Sequence, residues 1–265
     1  MPENRSDGRA GSLVIVGCGI QATRHTSQRT VSEIRRADTV FALVDPFTLD
    51  WLTGLNREVH NLCEHYEEDR DRRESYRLME QALLGPVREG KRVCGVFYGH
   101  PGVFARVSHA AIAAARAEGY QARMDAGVSA EACLYADLGL DPGDRGVLSL
   151  EATRFLIHEY QIDPACLLLL WQVFHTGNLE CKGFRPRPGQ LELLVEKLCR
   201  WYRPEARAIL YEAAVLPIQE FRAEAIRLKE LPGAELAEHT TLVIPPTVEA
   251  RADEYVLDAL GRASR

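Results

Sequence analysis

An α/β fold built in two halves is predicted by three features of this 265-residue chain. In the first half, apolar runs of strand length alternate with stretches of helical spacing, which implies a parallel sheet with helices on its faces. Several of these runs end in glycine turns: Gly17-Cys18-Gly19, Tyr98-Gly99-His100-Pro101-Gly102 and Ala126-Gly127-Val128-Ser129-Ala130. After Asp141-Pro142-Gly143 the texture changes, and a second α/β half is expected to begin near residue 144.

Leu13-Val14-Ile15-Val16 has the unbroken apolar pattern of a buried strand running into a glycine turn, and Thr26 to Ala37 then has helical spacing. Val40 to Val44 is the second predicted strand, closed by Asp45-Pro46. Residues 67 to 84 form a long, highly charged helix pattern, which Gly85-Pro86 should kink or end. Arg92 to Phe97 is the third strand, Ser108 to Glu118 a helix stopped by Gly119, and Tyr120 to Met124 the fourth strand. In the second half, strands are expected at Val147 to Leu150, Cys166 to Val173, Ala208 to Tyr211 and Thr240 to Ile244, with helices at Pro188 to Trp201 and Ile218 to Leu228. The expected organisation is a disordered tail over 1–12, an N-terminal α/β domain over 13–143, a C-terminal α/β domain over 144–250 and a tail or short helix over 251–265.

Composition narrows the function. A formal net charge of −6 disfavours a general role on nucleic acid, which depends on surplus Lys and Arg. The longest apolar run, Ala165 to Phe174, is too short for a bilayer and is interrupted by Gln172, and MPENRSDGRAGS lacks the apolar region of a signal peptide. A cytoplasmic enzyme without nucleic-acid or membrane partners is expected. The seven cysteines are odd in number with no C-x-x-C pair, so they read as reduced, small buried hydrophobes.

Gly17-Cys18-Gly19-Ile20-Gln21-Ala22 fits G-x-G-x-x-A, which serves either a dinucleotide or simply a tight strand-to-helix turn. Asp45 stands at the next strand end, but 28 positions from Gly17 rather than about 20. Gly99 and Gly102 remove side chains where a ligand could meet bare backbone. Ligands of open α/β sheets bind at the carboxyl ends of strands, so these turns are expected to converge on one crevice. No second His or Cys stands at ligand spacing beside His100, so no metal is expected.

Taken with the run Thr240-Thr241-Leu242-Val243-Ile244-Pro245-Pro246, these turns resemble the tetrapyrrole methylase superfamily. Its S-adenosylmethionine site includes a G-x-P turn after the third strand and a P-G-V-S turn after the fourth, and its terminal strand reads T-L-x-x-P-P. The motifs follow the family order over residues 13 to 246. His100 stands where many members have Asp, and Ala126 where many have Pro. The fuller strings Phe97-Tyr98-Gly99-His100-Pro101-Gly102-Val103-Phe104 and Gly127-Val128-Ser129-Ala130-Glu131-Ala132, with Gly19-Ile20 and Arg24-His25, resemble the borosin branch, which methylates backbone amides of a ribosomal peptide.

The resemblance implies two α/β halves with a cofactor crevice between them, S-adenosylmethionine as donor with S-adenosylhomocysteine as product, and a homodimer, to which the apolar-aromatic segment Phe155 to Tyr160 adds a hint. In fused borosins the substrate extends the enzyme's own C-terminus; here Arg265 follows shortly after Pro246, so the chain resembles the split type, with its precursor peptide supplied in trans. By the same resemblance Tyr98, His100, Val103 and Phe104 line the methionine and ribose side of the cofactor. Ser129 and Ala130 cover its sulfonium region, and Gln172, Tyr211, Ala213, Thr241 and Leu242 reach its adenosine. Trp171-Gln172 reads equally well as core.

An amide nitrogen is a poor nucleophile because its lone pair is delocalised into the carbonyl. Methyl transfer to it calls for a base and a cation. Arg72 and Tyr76 are four apart and share a helix face, and a neighbouring guanidinium favours a phenolate. Tyr66, Arg72 and Tyr76 also match the borosin spacing Y-x5-R-x3-Y, where they are the proposed catalytic group; a charged helix is otherwise usually a solvated face. Arg73 could reach Tyr76 but is one position off that spacing. Competing readings are a tetrapyrrole-type small-molecule methylase, a nicotinamide-dependent oxidoreductase and a non-catalytic interaction protein.

Overall fold

Ten strands form two five-stranded sheets in the computed structural model, which describes residues 11–67, 70–181 and 189–263. Residues 1–10 of the expected tail, 68 and 69 of the charged helix, Pro188 of the later helix and the last two residues of the C-terminal segment lie outside the described residues.

The first sheet comprises β1 (Ser12–Gly17), β2 (Thr39–Leu43), β3 (Val59–Asn61), β4 (Arg92–Phe97) and β5 (Gln121–Asp125), in the order β3-β2-β4-β1-β5 and parallel throughout. Strand side chains alternate between faces, and both faces here are covered. Leu13 and Ile15 pack with Met79, Leu83 and Val87 of the helix Arg72–Arg88 and with Ala111 and Ala115 of Arg106–Ala117. Val14 and Val16 pack with Ile34 of Gln28–Arg36 and Leu52 of Pro46–Thr53. This double covering is why these strands read as unbroken apolar runs, and each fully buried aliphatic side chain contributes about 1.5–3 kcal/mol.

The second sheet comprises β6 (Val147–Glu151), β7 (Leu167–Trp171), β8 (Arg207–Glu212), β9 (Arg222–Arg227) and β10 (Thr241–Ile244), in the order β6-β7-β10-β8-β9. Only the β6–β7 pair is parallel. Leu168, Leu170, Leu210, Leu242 and Ile244 form its core with Leu191, Leu194 and Leu198 of the helix Gln190–Leu198. The chain divides into two units. The first runs to Asp137 and also includes Glu180, Cys181 and Ala213–Phe221; the second takes up at Leu138 and includes Glu212 and everything described from Arg222 onward.

Three sequence expectations need correction. Ile218 to Leu228 is not a helix: Arg222–Arg227 is the edge strand β9, paired with β8 along its whole length, so sheet pairing overrides the helix preference of Ala and Glu. The charged helix begins at Arg72, where the Asp71 side chain accepts from the Arg73 N–H at 2.9 Å. It also runs through Pro86 to Arg88, held by buried Leu83, Leu84 and Val87. The three-residue β3 was too short to show any period. Phe155 is fully buried against Tyr160 and Trp201, whereas Ile157 in the same segment is exposed. All seven cysteines are free thiols.

Candidate active site

Because β4, β1 and β5 are neighbours, the three glycine turns emerge side by side from their carboxyl ends. Gly19 and Gly99 exchange backbone hydrogen bonds at 3.2 and 2.9 Å, both with positive φ (+74° and +66°) that glycine adopts freely. A Cβ on Gly17 would stand 2.4 Å from the Gly99 carbonyl oxygen and 2.9 Å from Gly127 Cα. A Cβ on Gly102 would lie 2.8 Å from Met124 Sδ. Gly17 and Gly127 therefore let neighbouring turns pack on one another, whereas a Cβ on Gly99 would meet only Ile20 Cδ1 at 3.4 Å and the Val128 carbonyl oxygen at 4.0 Å.

The first turn does not have the make-up of a dinucleotide site. It leads into a helical turn of only four residues, Ala22–His25. Asp45 is committed as a helix cap, its two carboxylate oxygens accepting from the Thr48 N–H at 3.0 Å and the Thr48 hydroxyl at 2.5 Å.

Tyr66 and Tyr76 are brought together. Tyr66 closes the short helical turn Leu62–His65, its N–H donating to the Cys63 carbonyl at 3.0 Å, while Tyr76 lies on the first turns of Arg72–Arg88. Their rings meet edge-on, 6.4 Å between centroids at 80°, and both pack against the core beneath. Arg72, half-buried one turn before Tyr76, has its N–H on the Cys181 carbonyl at 3.1 Å. Arg73 faces outward and pairs with Asp71 at 2.9 Å.

Burial, followed by the neighbouring Tyr76 and Tyr98 hydroxyls, pushes the Tyr66 phenol well above its ordinary pKa of 10.0. Tyr66 is thus a protonated donor at neutral pH. The shift also links pH to stability. A folded pKa raised above the unfolded one contributes stability that is whole below the unfolded value and is lost as pH rises through the folded value. Thermal unfolding followed from about pH 9 to about pH 11 should therefore show a falling midpoint, and a shallower fall in Tyr66→Phe.

Tyr98 sits within electrostatic reach of Tyr66, on the turn that follows β4. That turn exposes apolar surface: Tyr98 is 61% and Phe104 50% exposed, with Val103 beside them. Phe104 is held at φ +52°, a rare conformation for a bulky residue, as is Gln172 at +57°. Both positions are among those the resemblance assigned to the cofactor. His100 Nδ1 accepts from the Gly102 N–H at 3.0 Å and so shapes the turn. Ser129 Oγ accepts from the Ala132 N–H at 3.1 Å and caps the helix Ala130–Leu138, which begins with half-buried Ala130.

In the second unit, β10 runs antiparallel between β7 and β8, so its start lies beside their ends. Gln172 follows β7, Tyr211 lies on β8, and Thr241 is its cross-strand partner at the start of β10, followed by Leu242. Tyr211, Thr241 and Leu242 are buried, so what they can offer a ligand is backbone. Ala213 is half-buried and opens the segment that the first unit takes back.

Two surface cavities lie away from these residues. One of about 250 Å3 is lined by Ser12, Glu33, Arg36, Arg92 and Arg123 at the amino ends of β1 and β4; another of about 440 Å3 lies around Leu156 and Lys197. Among the described residues no group of three or more His, Cys, Asp and Glu could hold a metal ion, and no helix is long and apolar enough to cross a membrane. Sequence reasoning missed that Tyr98 comes within electrostatic reach of Tyr66, which no spacing signals because the two lie far apart along the chain.

Residues 12–224 match the family described as Tetrapyrrole (Corrin/Porphyrin) Methylases. The chain is 38% identical over 243 residues to the methyltransferase/ribosomally synthesized cyclic peptide gymnopeptides precursor of Gymnopus fusipes, covering 90% of this chain and 58% of that protein. It is 39% identical over 260 residues to the methyltransferase/ribosomally synthesized type I borosin cyclic peptide precursor of Serendipita vermifera subsp. bescii, covering 96% and 63%. The chain thus spans less than two thirds of the length of these relatives. Uroporphyrin-III C-methyltransferase from Thermus thermophilus, solved with S-adenosylhomocysteine, shares the fold at a TM-score of 0.59 and 18% identity, covering 89% of this chain and 92% of that one.

Proposed function

The chain belongs to the tetrapyrrole (corrin/porphyrin) methylase family, and from that membership we propose that it is an S-adenosylmethionine-dependent methyltransferase acting on backbone amide nitrogens of a ribosomally made precursor peptide. The observation that carries this reading is the edge-on Tyr66–Tyr76 pair with Arg72 one helical turn away. The names of the relatives, which join a methyltransferase to a peptide precursor, support it.

S-adenosylmethionine supplies an electrophilic methyl group when bound. Tyr98, His100, Val103 and Phe104 would hold its methionine and ribose side, Ser129 and Ala130 its sulfonium region, and Gln172, Tyr211, Ala213, Thr241 and Leu242 its adenosine. Tyr76, in its deprotonated form, would take the proton from the peptide nitrogen, which would then receive the methyl group that the bound donor supplies. Arg72 faces the charge that accumulates on the amide oxygen, and protonated Tyr66 orients the peptide by donating a hydrogen bond. Asp45, already engaged as a cap, leaves the nicotinamide alternative without its ribose acceptor.

Supply of the peptide as a separate chain and a homodimer belong to the same proposal. Calorimetry should show binding of S-adenosylmethionine and S-adenosylhomocysteine but not NAD, and an added precursor peptide should gain mass in steps of one CH2. Absence of binding by either sulfur ligand at millimolar concentration removes the methylase reading. Light scattering should give twice the chain mass; a monomer across the concentration range removes the dimer.

A further inference from the structure

We propose that Glu212 is a positioning residue for the nucleoside end of the methyl donor, an inference that rests on the methylase reading above. Glu212 ends β8 and is the last residue of the second unit before the chain leaves it for Ala213–Phe221; Arg222, where that unit resumes, is its cross-strand partner on β9. Arg222 Nη1 donates to Glu212 Oε1 at 2.7 Å and so closes the base of the excursion. The same oxygen accepts from the Thr240 hydroxyl at 2.5 Å, and that hydroxyl accepts from the Ala237 N–H at 2.8 Å. On the other oxygen, His239 Nε2 stands 3.8 Å away. Arg222 is itself fixed from behind by Glu224 and by the Glu235 carbonyl at 2.9 Å.

The carboxylate is largely withdrawn from water, its side chain 15% exposed, and Thr240 is fully buried. Burial alone would raise the Glu212 pKa, but the hydrogen bonds from Thr240 and Arg222 outweigh it and hold the carboxyl below its ordinary range. A buried carboxylate is costly unless it is paired and hydrogen-bonded, and Arg222 and Thr240 supply both here.

What it orders is the end of the sheet. Tyr211 precedes it and pairs across the ladder with Thr241, which follows Thr240; Ala213 comes next along the chain. One carboxylate therefore ties together three positions expected at the adenosine. With Tyr211 and Thr241 buried, their contribution is backbone, and backbone placement depends on the register that the Glu212–Thr240 hydrogen bond pins. Glu212 itself touches no reacting atom, and its effect should appear in cofactor affinity rather than in turnover.

The test is titration of the purified chain with S-adenosylhomocysteine by calorimetry, beside steady-state methylation kinetics and thermal melts. Glu212→Gln keeps the shape but loses the charge, and should weaken S-adenosylhomocysteine binding about tenfold, the loss expected for charge-assisted hydrogen bonds. KM for S-adenosylmethionine should rise by a similar factor while kcat stays within about twofold. Thr240→Val, which spares the ion pair, should weaken binding by a smaller factor, and Glu205→Gln, in a surface pair with Lys229, should bind as the wild type does. A merely structural role would lower the melting temperature of Glu212→Gln and leave its affinity unchanged, which overturns the proposal. Should Glu212→Gln fail to fold, Thr240→Val decides, and wild-type affinity there also overturns it. A wild-type chain that does not bind S-adenosylhomocysteine at all sinks the methylase reading and this inference together.

Discussion

Tyr76→Phe is expected to lower the rate of methyl transfer by roughly 10²- to 10⁴-fold, the usual cost of removing one positioned base. The ring stays, so its edge-on contact with Tyr66 and its packing on the core are preserved and the fold should melt unchanged. Arg72→Ala should be similarly damaging because it removes the cation proposed to face the amide oxygen. Arg73→Ala is the control: its guanidinium is on the surface with Asp71, and activity should stay near wild type. Neither Tyr76→Phe nor Arg72→Ala should change S-adenosylhomocysteine affinity appreciably, since the proposed cofactor contacts lie elsewhere. Tyr66→Phe should be milder, because its raised pKa makes it a donor that orients rather than a group that takes a proton. A fully active Tyr76→Phe enzyme would remove the proposed mechanism.

The largest effect on the fold is expected at Gly17 and Gly127. A Cβ at either position would stand 2.4 Å from the Gly99 carbonyl oxygen, and backbone cannot swing aside as a flexible side chain can. Gly17→Ala and Gly127→Ala should each cost about 1–3 kcal/mol, at the upper end of overpacking because the obstruction is main chain. Activity should fall as well, since the displaced turn carries Tyr98. Urea titrations of the two variants measure this directly, and a Gly17→Ala protein as stable as wild type would show that the turns are not packed as described.

Where one strong local signal governed an element, the sequence could be read directly. Arg92–Phe97 emerges with the predicted bounds because an apolar run buried on both faces and closed by glycine has few alternatives. The Tyr66, Arg72, Tyr76 spacing was legible because Arg72 and Tyr76 sit on one helix, where separation along the chain fixes separation in space. Arg222–Arg227 was misread because its residues favour a helix and only the partner strand β8 makes them extended. Tyr98 beside Tyr66, and Glu212 with Arg222 and Thr240, join positions far apart in sequence, so no local pattern could announce them. The glycine turns were legible as places where side chains are excluded; that the Gly99 carbonyl is what excludes them at Gly17 and Gly127 was not, because it joins three strands distant in sequence.

Tandem mass spectrometry of a precursor peptide incubated with this chain and S-adenosylmethionine decides what the site does. Fragmentation should place each added CH2 on a backbone nitrogen, and the methylated tertiary amides, which populate some cis form as X–Pro bonds do, should show slow conformational splitting in solution. Peptide treated with Tyr76→Phe or Arg72→Ala should show neither change. Methyl groups found instead on Lys, His or the peptide termini, or an untouched peptide beside a methylated small molecule, would contradict backbone N-methylation by this protein.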